Sequence, residues 1–100
     1  MELERLSLED AIRVSEDVVF REIDGEAVLL ELGTGIYFGL NEVGTRIWGL
    51  LQRDGSLRNA YEAMQEQYDV PGEQLERDLL ELVNQLLVKR LVVEHIPTPA

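Results

Sequence analysis

Few residues of this 100-residue chain are equipped for chemistry, and those few are scattered. The single histidine, His95, stands two residues before Pro97 near the C-terminus, with no second histidine and no cysteine to share a metal ion. A general base needs a shaped pocket, which a terminal tail does not supply. Ser56 has no histidine near it in sequence, and it suits a helix cap better than a nucleophile. Gly33-Thr34-Gly35 has the small residues of a phosphate cradle but lacks the lysine, the third glycine and the following helix, so a strand turn is expected. The carboxylates are numerous yet dispersed: Glu62 and Glu66, four apart, form a mildly repulsive solvated pair, and no Asp-x-Asp-x-Asp-Gly calcium loop occurs. Gly55-Ser56-Leu57 is not the Asp-Ser-Leu setting in which an acyl carrier receives its prosthetic arm. The expectation is a non-catalytic protein with neither metal nor cofactor.

Bulk properties narrow the remaining classes. One hundred residues make about one domain, and an apolar fraction of 45% is ordinary for a packed fold. Twenty acidic residues against nine basic ones leave a formal charge of −11. A nucleic-acid binder neutralises phosphates with clustered Lys and Arg, and the densest basic stretch here is the pair Lys89-Arg90. Nucleic acid is therefore not an expected partner. No apolar run approaches the roughly 20 residues of a membrane helix. The start Met1-Glu2-Leu3-Glu4-Arg5 has no apolar signal segment behind it, so a cytoplasmic location without membrane partners is expected.

The elements that must position any binding residues are legible from Val18 onward. Val18 to Ile23 is rich in β-branched and aromatic residues, and Asp24-Gly25 is a two-residue turn signal. Glu26 to Leu32 reads as a return strand, with Val28, Leu30 and Leu32 on one face and Ala27, Leu29 and Glu31 on the other. After Gly33-Thr34-Gly35, Ile36 to Leu40 is a third strand. Asn41 is placed to cap a helix carrying Val43, Ile47, Leu50 and Leu51, with Trp48 alongside and Asp54-Gly55 ending it. Ser56 caps a second helix with an apolar face of Leu57, Ala60, Tyr61, Met64 and Tyr68. Pro71 opens a third, over about Glu73 to Arg90. Its stripe Leu75, Leu79, Leu82 and Leu86 points to the core, and Leu80 and Leu87, with Glu76 and Val83 beside them, make a second apolar edge. Either a wide core face or a binding groove would use that edge. Leu91-Val92-Val93 can add a short strand. Residues 1–15, an N-terminal arm, settle on no period and fit a short helix from Ser7 or an extended stretch equally; 16–94 read as the domain and 95–100 as a flexible tail. The predicted class is α+β, winged helix-turn-helix-like, with a three-stranded antiparallel sheet followed by three helices.

The run Gly35-Ile36-Tyr37-Phe38-Gly39-Leu40-Asn41-Glu42-Val43-Gly44-Thr45-Arg46-Ile47-Trp48 resembles the signature of the PqqD family: an aromatic-rich third strand, then Leu-Asn-x-x-Gly opening the first helix. The resemblance continues through Asp54-Gly55-Ser56, Tyr68-Asp69-Val70-Pro71, the long third helix and Leu91-Val92, covering about residues 15–93. It implies a RiPP recognition element, the non-enzymatic module that holds the leader segment of a ribosomally made precursor peptide between the third strand and the third helix. Stand-alone members serve PQQ biosynthesis, beside a radical enzyme, and lasso-peptide clusters, beside a leader peptidase. Tyr37-Phe38 looks closer to the lasso-type or generic stand-alone members.

The residues supply a compatible mechanism. If Ile36, Tyr37, Phe38, Gly39 and Leu40 form an edge strand, its free backbone groups can pair with an extended peptide. Leu80, Val83 and Leu87 would receive alternate leader side chains, and Glu76 a basic one. Gly39 permits close backbone approach. Tyr37 suits packing and pocket roles equally, whereas Phe38 and Trp48 suit the core. The same edge could pair with a second copy, giving a homodimer. A winged-helix DNA-binding transcriptional regulator is the alternative use of this architecture, and a fixed subunit of an oligomer is a third.

Overall fold

The computed structural model describes residues 6–95, in the order β1 (Ala11–Val14), β2 (Val18–Ile23), β3 (Glu26–Glu31), β4 (Ile36–Gly39), α1 (Glu42–Asp54), α2 (Leu57–Gln67), α3 (Gly72–Val88) and β5 (Val92–His95). Met1 to Arg5 of the expected arm and Ile96 to Ala100 of the expected tail lie outside the described residues. The three strands read from the sequence are β2, β3 and β4, an antiparallel sheet in that spatial order, and the three helices follow as read. The fold is the winged-helix-like α+β arrangement that the pattern predicts.

The two turns of the sheet are built differently. Asp24 and Gly25 both take positive φ, 55° and 84°, which is the type I′ turn whose twist matches a two-residue hairpin. The β3–β4 turn is instead held by a side chain. The Glu31 carboxylate accepts hydrogen bonds from the Thr34 hydroxyl at 2.8 Å and the Thr34 N–H at 2.7 Å. These bonds hold its carboxyl below the usual carboxylate range; burial opposes them, while the Gly33 N–H and the Arg90 charge assist. That arrangement lets a glutamate sit buried on the core face beside Ala27 and Leu29. Val28 and Leu32 face outward, where with Val19, Ile23 and Tyr37 they leave an exposed apolar sheet surface. On the inner side Phe20 meets Trp48 edge-on, ring centroids 6.3 Å apart.

The helices start on the expected caps. Asn41 accepts from the Gly44 N–H at 2.8 Å and Ser56 from the Asn59 N–H at 3.1 Å, each satisfying a donor that the first turn leaves free. The apolar stripe of α1 lies about one residue round from the expected one: Gly44, Ile47, Trp48 and Leu51 are buried, Val43 is exposed and Leu50 half-buried. In α2, Leu57, Ala60 and Met64 are buried, with Tyr61 and Tyr68 packed partly against the core. The core of α3 is Leu75, Leu79, Val83 and Leu86. A Schellman motif ends α3, with Arg90 in the left-handed region (φ 64°) and the Leu91 N–H on the Leu86 carbonyl at 2.9 Å.

Residues 11–14, read from the sequence as part of an arm, form β1 and pair antiparallel with β5, Ile12 opposite Glu94 and Val14 opposite Val92. His95, read as a tail residue, is the last residue of β5, opposite Ala11. The pairing is fixed to the helices at Gly55. The Ile12 N–H donates to the Gly55 carbonyl at 2.9 Å, Ile12 is buried, and Gly55 closes α1 at φ 72°. A Cβ on Gly55 would stand 1.9 Å from the Ile12 carbonyl oxygen, so both conformation and space require glycine there. An exposed ion pair, Arg58 with Glu9, ties the same segment to α2.

Candidate functional site

Among the described residues β4 is bonded on one side only. In the order β2-β3-β4 it is an outer strand, so one row of its backbone groups has no ladder partner. The register says which row. The Leu40 N–H donates to the Ala27 carbonyl at 2.8 Å, and the Leu32 N–H to the Asp17 carbonyl at 2.8 Å. Hydrogen-bonded pairs alternate along an antiparallel ladder, so Phe38 and Ile36 turn their N–H and C=O toward β3. Tyr37 and Gly39 turn theirs to the free edge.

Beside that edge runs a groove of about 460 Å³. Phe38, Gly39 and Leu40 form one wall, Asn41, Val43, Gly44 and Ile47 of the following helix the floor, and Asp78, Glu81, Leu82 and Gln85 of α3 the opposite wall. At the far end the Lys89 ammonium lies over the Phe38 ring, 5.9 Å from its centroid. The local chain makes this shape. Leu-Asn-x-x-Gly turns directly from strand to helix, and Gly44 has its Cα against Leu40, where a Cβ would come within 3.2 Å of a Leu40 methyl. The surface is an apolar trough with charged rims and a strand edge along one side.

The residues expected to bind are only partly brought together here. Phe38, Gly39 and Leu40 line the groove. Tyr37 contributes its backbone edge, while its side chain stands on the outer face and is 69% exposed. Ile36 begins β4 on the inner face, beyond the groove's end. The α3 residues Glu76, Leu80, Val83 and Leu87 are not among its lining. Val83 is 0% exposed within the core, and Leu80 and Leu87 pack partly against it. Glu76 lies on the other side of the helix, toward Arg58 of α2, whose guanidinium is held more basic chiefly by its hydrogen bond and charge pairing with Glu9, with smaller contributions from Glu62 and Glu76. The core stripe of α3 has two flanks, and β4 faces the one carrying Asp78, Glu81 and Gln85. Leu82, read as core, is the apolar residue on that flank. A helical wheel displays both flanks equally; only the packing of α3 against the sheet decides between them. The floor residues Asn41, Val43, Gly44 and Ile47 had a usable signal, since they follow the edge strand immediately.

Among the described residues no group of His, Asp or Glu is arranged to hold a metal ion, and no helix is long and apolar enough to cross a membrane. An open sheet edge beside an apolar groove, in a winged-helix-like domain, is the geometry that strand-addition peptide binding uses. The comparisons give the particular family. The model described as coenzyme PQQ synthesis protein D (PqqD) matches residues 26–92, about two thirds of the chain, and the protein belongs to the PqqD family. The solved structure of TbiB1 in complex with the TbiA(beta) leader peptide is 39% identical, with a TM-score of 0.79, covering 85% of this chain and 99% of that one. A lasso peptide synthetase B1 complexed with its leader peptide has the same fold, with a TM-score of 0.75 at 24% identity over 83% of this chain and 98% of that one. No match was found among curated proteins.

Proposed function

We propose that this protein binds the leader segment of a ribosomally synthesised precursor peptide, adding it as a strand to β4 and seating its inward side chains in the groove against α3. The observation that carries this reading is the unpartnered row of Tyr37 and Gly39 backbone groups beside the groove, in a chain 39% identical to a protein solved with a leader peptide. Backbone pairing supplies affinity with little demand on sequence, and the groove supplies selection. The contact set is β4, Asn41, Val43 and Ile47, with Leu82 and its charged neighbours on α3.

The chain does no chemistry on the peptide in this account. It presents the leader to a separate modifying enzyme. The two solved relatives, a TbiB1 and a lasso peptide synthetase B1, favour a leader peptidase over the radical enzyme of quinone-cofactor pathways. The same edge can pair with a second copy, and leader binding and such a homodimer would exclude one another. A DNA-binding role is disfavoured by the −11 charge and the acidic groove wall. A cytoplasmic site of action, where precursor peptides are made, fits the reading.

The test is a titration by fluorescence anisotropy of labelled N-terminal segments from short open reading frames beside the gene. The expected result is saturable binding to one segment and none to its scrambled version. Binding to random duplex DNA that weakens with salt, with no leader bound, would replace this function by the alternative.

A further inference from the structure

The α3 wall of the groove is not uniformly charged. Asp78, Glu81, Leu82, Gln85 and Lys89 fall within an arc of about 100° on the helix at its ordinary pitch. The two carboxylates are exposed at one end, and among the described residues no cation stands within ion-pairing distance of either. Lys89 closes the other end over Phe38. Between them the helix presents Leu82 and the uncharged Gln85, with the apolar Phe38, Leu40 and Ile47 opposite. The orientation follows from the lining. The groove runs from Phe38 toward Leu40 and the start of α1, without Ile36 or Tyr37, so the acidic end lies at the α1 side and the basic end at the β4 side.

Resting on the leader-binding reading, we propose that this charge ladder selects both the composition and the direction of the bound peptide. The sheet is antiparallel throughout, and a strand added in the same sense runs opposite to β4, from the α1 end toward Lys89. Its earlier residue faces Asp78 and Glu81 and its later one faces Lys89. From the carboxylates to Lys89 is eight to eleven helical residues, roughly 12–16 Å at about 1.5 Å each. An extended peptide covers that in about four or five residues, and side chains on one face recur every second residue, which leaves four. The recognised pattern is a basic residue, an apolar residue two further on against Leu82, and an acidic residue two beyond that. A peptide with the charges exchanged meets like charge at both ends and would have to bind in the opposite sense.

The experiment uses the whole protein and three fluorescein-labelled peptides of about twelve residues, long enough to overrun the groove at ~3.4 Å per residue. They share flanks and a central leucine and differ at two positions four apart: Lys then Glu, Glu then Lys, or Gln at both. The Lys-first peptide is expected to bind about fivefold or more tightly than the Glu-first one, two favourable contacts replacing two repulsive ones. The gap should close near 1 M salt, where the screening length is about 3 Å. In the variant Asp78→Lys, Glu81→Lys, Lys89→Glu, with melting checked, the order of the two charged peptides should reverse. Equal affinities in the unaltered protein, or a preference that survives the reversal, would overturn the proposal while binding of the Gln peptide still upheld strand addition. Failure of all three peptides to bind, alongside failure of every genomic leader, would overturn the leader-binding reading itself.

Discussion

Replacing Gly39 by proline separates the role of the β4 edge from its role in the fold. Gly39 points its N–H away from β3, so the substitution removes no ladder hydrogen bond. Its φ is not positive, nothing lies within 4 Å of a Cβ placed there, and Phe38 before it is already in a strand, as a residue preceding proline prefers. The folded state should lose little, and the melting temperature should move by no more than about 4–8 °C, the equivalent of 1 kcal/mol in a domain this size. Leader binding loses one backbone hydrogen bond, about 0.5–1.5 kcal/mol. The ring also occupies the edge where the added strand must approach to about 4.8 Å. Together these put the expected loss of affinity at about tenfold or more. Phe38→Pro is the contrast: its N–H serves the β3 ladder, so it should lower the melting temperature sharply. Anisotropy titrations and thermal melts by circular dichroism read both quantities. Gly39→Pro with unchanged melting and affinity within twofold of the parent would refute the assignment of the free edge.

Three further outcomes follow from other parts of the molecule. Leu82→Ala should weaken leader binding by about fivefold or more, roughly 1 kcal/mol of the burial that a leucine side chain can supply, while Leu80→Ala on the opposite flank of α3 leaves it unchanged; titration of the two variants checks this. Gly55→Ala meets the Ile12 carbonyl and a left-handed backbone together, so it should cost about 3 kcal/mol or more and lower the melting temperature by at least about 12 °C by calorimetry. Glu31 has a carboxyl pKa held below its unfolded value, so its stabilising contribution is present above about pH 4.5 and is lost as pH falls through the lower, folded pKa. Melting curves of the parent and Glu31→Gln should differ most near neutrality and converge in acid; a constant difference would remove the charged carboxylate from the account of that turn.

Much of this was legible in the sequence because local signals agreed with the fold. Asp24-Gly25, Asn41 and Ser56 each state a backbone geometry by their chemistry, and each is found performing it. What was not legible depends on partners distant in the chain. The core face of β3 is the one carrying Glu31, against the more apolar Val28, Leu30 and Leu32; the Thr34 hydrogen bonds, helped by the Gly33 N–H and the Arg90 charge, make a buried glutamate tolerable there. β1 carries no period of its own because its partners are β5, some 80 residues away, and the Gly55 carbonyl. The apolar flank of Leu80, Val83 and Leu87 reads in sequence as the α3 wall, yet Val83 fills the core and the flank beside β4 bears Asp78, Glu81 and Gln85. Apolar periodicity marks what is buried on folding, and the edge that receives a peptide is marked by backbone groups left over.

The most direct test of that edge is amide hydrogen exchange with and without the bound leader, resolved by residue. The account predicts that the Tyr37 and Gly39 amides exchange quickly in the free protein and slow by at least about tenfold on binding, corresponding to a bond worth roughly 1.4 kcal/mol, while Phe38, already bonded to β3, changes little. Protection that appears on the outer sheet face or along β2, with Tyr37 and Gly39 unchanged at saturating leader, would contradict it.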